Sequence, residues 1–264
     1  MRSLKLTLEY DGSNYVGWQR QAEGVSIQGL LEDALVPFAG ETLTVHGAGR
    51  TDAGVHALGQ VASIYTAAPH DVETLQRALN AVLPVDVRVL TIEEAAPGFH
   101  ARFDAVGKTY EYRIVFGPFA SAFEHRYVWH VPGALDVEAM RAGAAQLVGR
   151  HDFAAFQSTG GEVSSTVRTI SHLQIGDIQP GQSPTGSFGC QTPHGESAIG
   201  RLAIRVEGDG FLRHMVRSIA GTLVDVGLGR WPASHVTEIL ASCDRTKAGR
   251  AAPPGGLFLI AVKY

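Results

Sequence analysis

Two hydrophobic periodicities, one of two residues and one of about 3.6, alternate in a set order through the first part of the chain, and that order constrains the fold more than any single motif. Leu4, Leu6, Leu8 and Tyr10 alternate with Lys5, Thr7 and Glu9, the pattern of a half-buried strand. Asp11-Gly12-Ser13-Asn14 is a turn. Ser26 is a fair N-cap for a helix whose apolar face is Ile27, Leu30, Leu31, Ala34, Leu35 and Phe38. Leu43-Thr44-Val45 reads as the end of a strand, and Gln60 to Tyr65 reads as another. Val72, Leu75, Leu79 and Val82 mark a second helix, stopped at Pro84, and Val87, Val89 and Thr91 mark a further strand. The order β-α-β-β-α-β is the split arrangement of ferredoxin-like folds and of many RNA-binding sheets.

The rest of the chain reads as a decorated version of the same plan. Strands are expected over 108–116 and 127–131, and Val137, Met140, Ala144, Leu147 and Val148 mark a helix. A hairpin pair is expected over 166–175 and 198–206, followed by a helix carrying Met215, Ile219, Leu223 and Val226. A shorter helix over about 234–242 and a buried strand over 256–262 complete it. Residues 176–197 are rich in Gly, Pro, Ser and Gln and are expected to be a mobile hairpin tip without chemistry of its own. The expected class is α+β: an N-terminal ferredoxin-like half, 1–104, and a decorated C-terminal half, 105–264. Together they are expected to form one extended, mainly antiparallel sheet, with helices on one face and a cleft between the halves.

Composition narrows the function classes. The 264 residues suffice for a sizeable core, and 45% hydrophobic with 18% charged residues is ordinary for a globular protein. No apolar run approaches the ~20 residues that span a bilayer. Met1-Arg2-Ser3-Leu4 runs straight into the alternation, without the apolar core of a signal peptide. Two cysteines, Cys190 and Cys243, exclude a disulfide framework and a cysteine-based zinc cluster, so a reducing cytoplasm is expected. The net charge of −4 hides an asymmetry: residues 1–104 carry 7 Lys+Arg and 13 Asp+Glu, and residues 105–264 carry 15 and 13. A mildly acidic total therefore does not forbid a local basic groove for nucleic acid.

Chemistry concentrates in Gly47-Ala48-Gly49-Arg50-Thr51-Asp52-Ala53-Gly54-Val55-His56-Ala57. Three glycines and several small residues allow unusual backbone conformations and close approach to a ligand. Arg50 and Asp52 lie two apart, with no second carboxylate nearby; Glu41 and Asp71 are the nearest acidic neighbours in sequence.

Six blocks in order carry a resemblance: Tyr10-Asp11-Gly12, Gly17-Trp18-Gln19-Arg20-Gln21, Gly49 to His56, Phe99-His100-Ala101-Arg102, His214-Met215-Val216-Arg217 and Gly256-Leu257-Phe258-Leu259. Together they resemble the tRNA pseudouridine synthase A family, from residue 4 to the end, with 176–197 looking like an insertion. The resemblance implies conversion of uridine to pseudouridine at positions 38 to 40 of the tRNA anticodon stem-loop. It implies a homodimer and no metal or organic cofactor. Asp52 matches the family's catalytic aspartate, a carboxylate at the sugar–base junction that acts as nucleophile, stabilises an oxocarbenium-like centre or takes the 2′ proton. Arg217 matches the arginine paired with it, on a helix where Arg213 is expected one turn earlier. Arg50 matches the residue that helps flip the target nucleotide; holding a phosphate is its alternative role. Tyr110 matches the tyrosine that stacks on the flipped base, although both Tyr110 and Tyr112 also suit a strand core. Leu257 matches an apolar residue of the pocket wall, a role hard to separate from ordinary core.

Arg20, Lys108, Arg113, Arg168, Arg213, Arg245 and Lys247 are candidates for contacts to the RNA backbone, each otherwise a solvated surface charge. His46, His56, His100, His151 and His214 have no metal-ligand spacing, so no metal is assigned. A non-catalytic tRNA-binding protein and a glycosidic-bond hydrolase are the alternatives. The first leaves Asp52 beside Arg50 unexplained, and the second commonly needs a metal or a second carboxylate.

Overall fold

The computed structural model describes residues 1–160, 163–178 and 199–264 of the chain. The protein is α+β, with mainly antiparallel strand pairing in each of two compact units. One unit is residues 1–108 with 258–264; the other is 109–257. The closing strand, which follows the second half in sequence, thus belongs from Phe258 onward to the first unit. Most of the expected tip over 176–197 lies outside the described residues.

The first unit is built on β1 (Arg2–Tyr10), which pairs antiparallel with both β3 (His56–Thr66) and β4 (Val87–Ala95). Leu4, Leu6 and Leu8 are fully buried while Lys5, Thr7 and Glu9 are half-exposed, as the alternation predicts. Helix α1 (Ile27–Ala39) starts at Ser26, whose hydroxyl accepts from the Gly29 N–H, and ends at Gly40 in the left-handed region. Helix α2 (Val72–Val82) starts at Asp71, which accepts from the Thr74 N–H. That bond holds the Asp71 carboxyl below the usual carboxylate range. Leu83, before Pro84, is extended and ends the helix.

The segment 43–45 is a correction. It is not a strand: Val45 donates to Glu32 and accepts from Gln28, both buried on α1, so its hydrogen bonds go to helix side chains instead of a neighbouring strand. The short β2 (His46–Gly47) follows and pairs with β3, which begins at His56 and not at Gln60. The loop is thereby shortened to residues 48–55.

Strand β5 (Gly107–Phe116), which belongs to the second unit from Thr109 onward, is joined there in parallel by the short β6 (Trp129–Val131). Within this unit it also neighbours β9 (Gly200–Gly208), followed by β8 (Val167–Asp177) and β7 (Gly149–Asp152), both antiparallel. Helix α3 (Val137–Ala145) packs on β8 and on α4 (Met215–Gly227), and α5 (His235–Ser242) packs beside α3. Leu147 is buried but lies past the end of α3. Strand β10 (Leu257–Lys263) closes the chain and pairs in parallel with β3 through Phe258–His56 and Leu259–Ala57.

Candidate active site

The Asp52 loop is held from three sides within the first unit. Tyr10, at the end of β1, is buried, and its hydroxyl lies 2.8 Å from the Thr51 hydroxyl. The Gln60 amide donates to the Tyr10 oxygen at 3.3 Å and to the Gly49 carbonyl at 2.9 Å. Because Gln60 donates to Tyr10, the phenol proton is directed to Thr51. Burial pushes the Tyr10 phenol up to about 12, so it stays a donor. The Thr51 carbonyl accepts from the Trp18 N–H at 3.0 Å, and Asp52 bridges antiparallel to Gly17. Gly17 has φ 106°, and a Cβ there would lie 2.5 Å from the Thr51 carbonyl oxygen, so only glycine lets the two segments meet. Val55 closes the turn by donating to the Asp52 carbonyl at 3.1 Å.

The result is a carboxylate on a stiff backbone. Asp52 is half-buried and Arg50 is exposed. Lys108 runs beside the same loop: a Cβ on Gly49 would lie 3.2 Å from its Cε. At the loop's exit His56 is buried and stacks on Phe258, with ring centroids 4.7 Å apart. Its Nδ1 lies 3.0 Å from the Gly12 nitrogen and 3.1 Å from Asp11 Oδ1. One nitrogen cannot accept from the amide and donate to the carboxylate at once. Asp11 already accepts from the Ser13 N–H and hydroxyl, so the bond from Gly12 is the better supported.

In the second unit the segment 250–257 ties several residues together. Arg217 Nε donates to the Ala252 carbonyl at 2.7 Å, and the Ala252 N–H donates back to the Arg217 carbonyl at 3.0 Å. Tyr112 donates to the Pro253 carbonyl at 2.7 Å. Burial raises the Tyr112 phenol far above its ordinary value, against the lowering charges of Arg217 and Arg250. Tyr112 is therefore a core residue. Tyr110 is buried and packs edge-on against Phe211 with centroids 5.2 Å apart. Leu257 is 6% exposed at the head of β10.

Arg217 lies in the first turn of α4, and it is the one residue of that helix not buried. Arg213 is not on the helix. His214 takes a left-handed conformation, φ 60°, and α4 begins only at Met215, so the expected one-turn register between Arg213 and Arg217 does not exist. The His214 Nδ1 lies 2.8 Å from the Ser158 hydroxyl.

The remaining basic candidates divide. Arg20 is occupied by Glu32, at 3.3 Å, and by Asp33. Arg113 is buried, with Nε donating to Glu111 at 2.8 Å. Arg168 is half-buried and donates to the Ser165 and Val167 carbonyls. Arg245 is half-buried and donates to the Ala248 carbonyl, while Arg213 and Lys247 are exposed. Among the described residues no three His, Cys, Asp or Glu side chains are grouped to hold a metal ion, and no helix is long and apolar enough to cross a membrane. Sequence reasoning did not single out Tyr10, Thr51, Gln60 or Trp18 as supports of Asp52; three of them stand in or beside the quoted blocks, and Gln60 carries no signal of its own.

A hydrogen-bonded loop that presents one half-buried carboxylate on an α+β sheet scaffold has the chemistry to act as nucleophile or base. A family model for tRNA pseudouridine synthase matches residues 7–104 and 144–264, and the chain belongs to that family of isomerases. Its relatives point to one branch. The chain is 44% identical to the tRNA pseudouridine synthase A of Rhodospirillum centenum over 265 residues, all of both chains. It is 41% identical, again over the whole of both chains, to the proteins of that name from Thermoanaerobacter sp. and Geobacter sulfurreducens.

Proposed function

We propose that this chain isomerises uridine to pseudouridine in the anticodon stem-loop of tRNA, at positions 38 to 40, with Asp52 as the reacting carboxylate. The observation that carries the reading is the full-length relationship to tRNA pseudouridine synthases A, combined with the triply anchored Thr51-Asp52 loop. The reaction breaks the N1–C1′ bond, rejoins the base through C5, releases the C5 hydrogen as a proton and leaves N1 to take up a proton. An ionised Asp52 serves it either by attacking C1′ or by taking the 2′ proton. Arg50, exposed beside it, is assigned to the flipped nucleotide or its phosphate. Tyr110 is assigned to stacking on the uracil, Arg217 to balancing negative charge, and Leu257 to the apolar wall. Lys108, Arg168, Arg213, Arg245 and Lys247 are assigned to the RNA backbone. Arg20 and Arg113, spent on acidic partners, rank below them. The chain is assigned to the cytoplasm as a homodimer, on the strength of the resemblance.

Tritium release from unmodified tRNA labelled at uridine C5 tests this. Wild type is expected to release tritium without freeing uracil. Asp52→Ala is expected to lose at least about a thousandfold in turnover while still binding tRNA. Free uracil from wild type would mark a hydrolase. Binding without release would leave only an RNA-binding protein.

A further inference from the structure

The block Phe99-His100-Ala101-Arg102 has no part in the chemistry above, yet it opens into an unusual surface of the first unit. Phe103 is 74% exposed. One side of its ring rests on His100, with centroids 4.3 Å apart, and His100 rests in turn on His46 at 4.8 Å. The interplanar angles are 38° and 37°, so the three rings form a continuous tilted stack with its outer end in water. The Arg102 guanidinium lies over the Phe103 ring, 5.7 Å from its centroid, and is exposed.

The turn that presents this stack is rigid. Ala101 donates to the Ser63 hydroxyl on β3 at 3.0 Å, and its carbonyl accepts from the Tyr264 hydroxyl at 2.8 Å. Arg102 N–H donates to His100 Nδ1 at 3.1 Å, and Phe103 N–H to the His100 carbonyl at 3.1 Å. The Asp104 carboxylate is turned back onto the His100 N–H at 2.8 Å. An exposed phenylalanine on a flexible tip would simply be solvated. Five hydrogen bonds fix the backbone of this turn, so the exposed ring and the guanidinium over it are presented with part of the ordering cost already met.

We propose that His46, His100 and Phe103 form a stacking platform for one unpaired nucleobase of the substrate tRNA, with Arg102 on the adjoining phosphate. The idea rests on the reading of the chain as a tRNA-modifying enzyme. Exposed aromatic rings and guanidinium planes both stack on bases of any identity, and the arginine adds charge complementarity to the backbone. An aromatic end alone would suit another protein equally; the exposed guanidinium over it favours an anionic partner.

The test measures binding of unmodified tRNA transcript by full-length wild type, Phe103→Ala, Phe103→Tyr and Phe103→Trp. Thermal midpoint, native mass and tritium release are recorded on the same preparations. Phe103→Ala is expected to weaken binding about tenfold or more with its thermal midpoint unchanged, since the ring is exposed. Phe103→Tyr is expected to restore wild-type affinity, and the tryptophan of Phe103→Trp to be quenched on adding tRNA. Unchanged affinity in Phe103→Ala overturns the platform. So does a fall in native mass in that variant, which would make the ring a protein–protein contact. Loss of tritium release in wild type with the Phe103 effect intact would sink the isomerase reading and leave the platform standing.

Discussion

Thr51 decides how firmly Asp52 is held. Its carbonyl is taken by Trp18 and its hydroxyl by Tyr10, and Gln60 orients the phenol from behind. In the proposed reaction Asp52 must meet one atom of a flipped nucleotide and depends on such support, because a misplacement of about 1 Å can cost about a hundredfold in rate. Tyr10→Phe removes one hydroxyl and leaves the ring in its buried place. The Thr51 and Gln60 groups then lose a partner, and the expected loss of stability is about 1 kcal/mol, read from a denaturant midpoint. Turnover is expected to fall while tRNA affinity stays at the wild-type value, because Tyr10 is only 3% exposed and cannot touch the RNA. Equal losses in affinity and turnover would show that the hydroxyl supports the unit generally and not the position of Asp52.

Among the elements, α4 shows how packing leaves one side chain, the proposed charge partner Arg217, outside the core. Buried on all sides except at Arg217, it behaves as a core helix with a single polar outlet. Two features aim that outlet: the left-handed His214 that starts the helix abruptly, and the segment 250–252 that receives the guanidinium. That segment passes so close that a Cβ on Gly221 would lie 1.8 Å from the Arg250 carbonyl oxygen. Gly221→Ala is therefore expected to push the segment off the helix and to destabilise the protein by about 1 to 3 kcal/mol, although alanine is the better helix former. The thermal midpoint measures it, and an unchanged or raised midpoint would mean the segment yields without cost. The same reasoning applies to α1, whose Gln28 and Glu32 replace strand partners for Val45 and so set where the Asp52 loop begins.

For the molecule as a whole, the net charge of −4 is a poor guide to its partner. Several basic side chains remain exposed or half-exposed after Arg20 and Arg113 are paired off, including Arg50, Arg102, Arg213 and Lys247. Each phosphate they neutralise adds to the salt dependence of binding. With three or more such contacts, tRNA affinity is expected to drop at least about tenfold between 50 and 200 mM salt. A flat response in a filter-binding or fluorescence titration would deny the electrostatic share of recognition. What the amino-acid order determined by itself was the α+β class, most of the helices and long strands, and the block around Asp52, because periodicity and glycine-rich turns are local signals. Only the tertiary structure decided that Val45 belongs to a helix's side chains, that His214 breaks the register between Arg213 and Arg217, that β10 pairs with β3, and that Tyr10, Thr51 and Gln60 meet. Those outcomes depend on hydrogen bonds and contacts between residues distant along the chain, which no local pattern encodes.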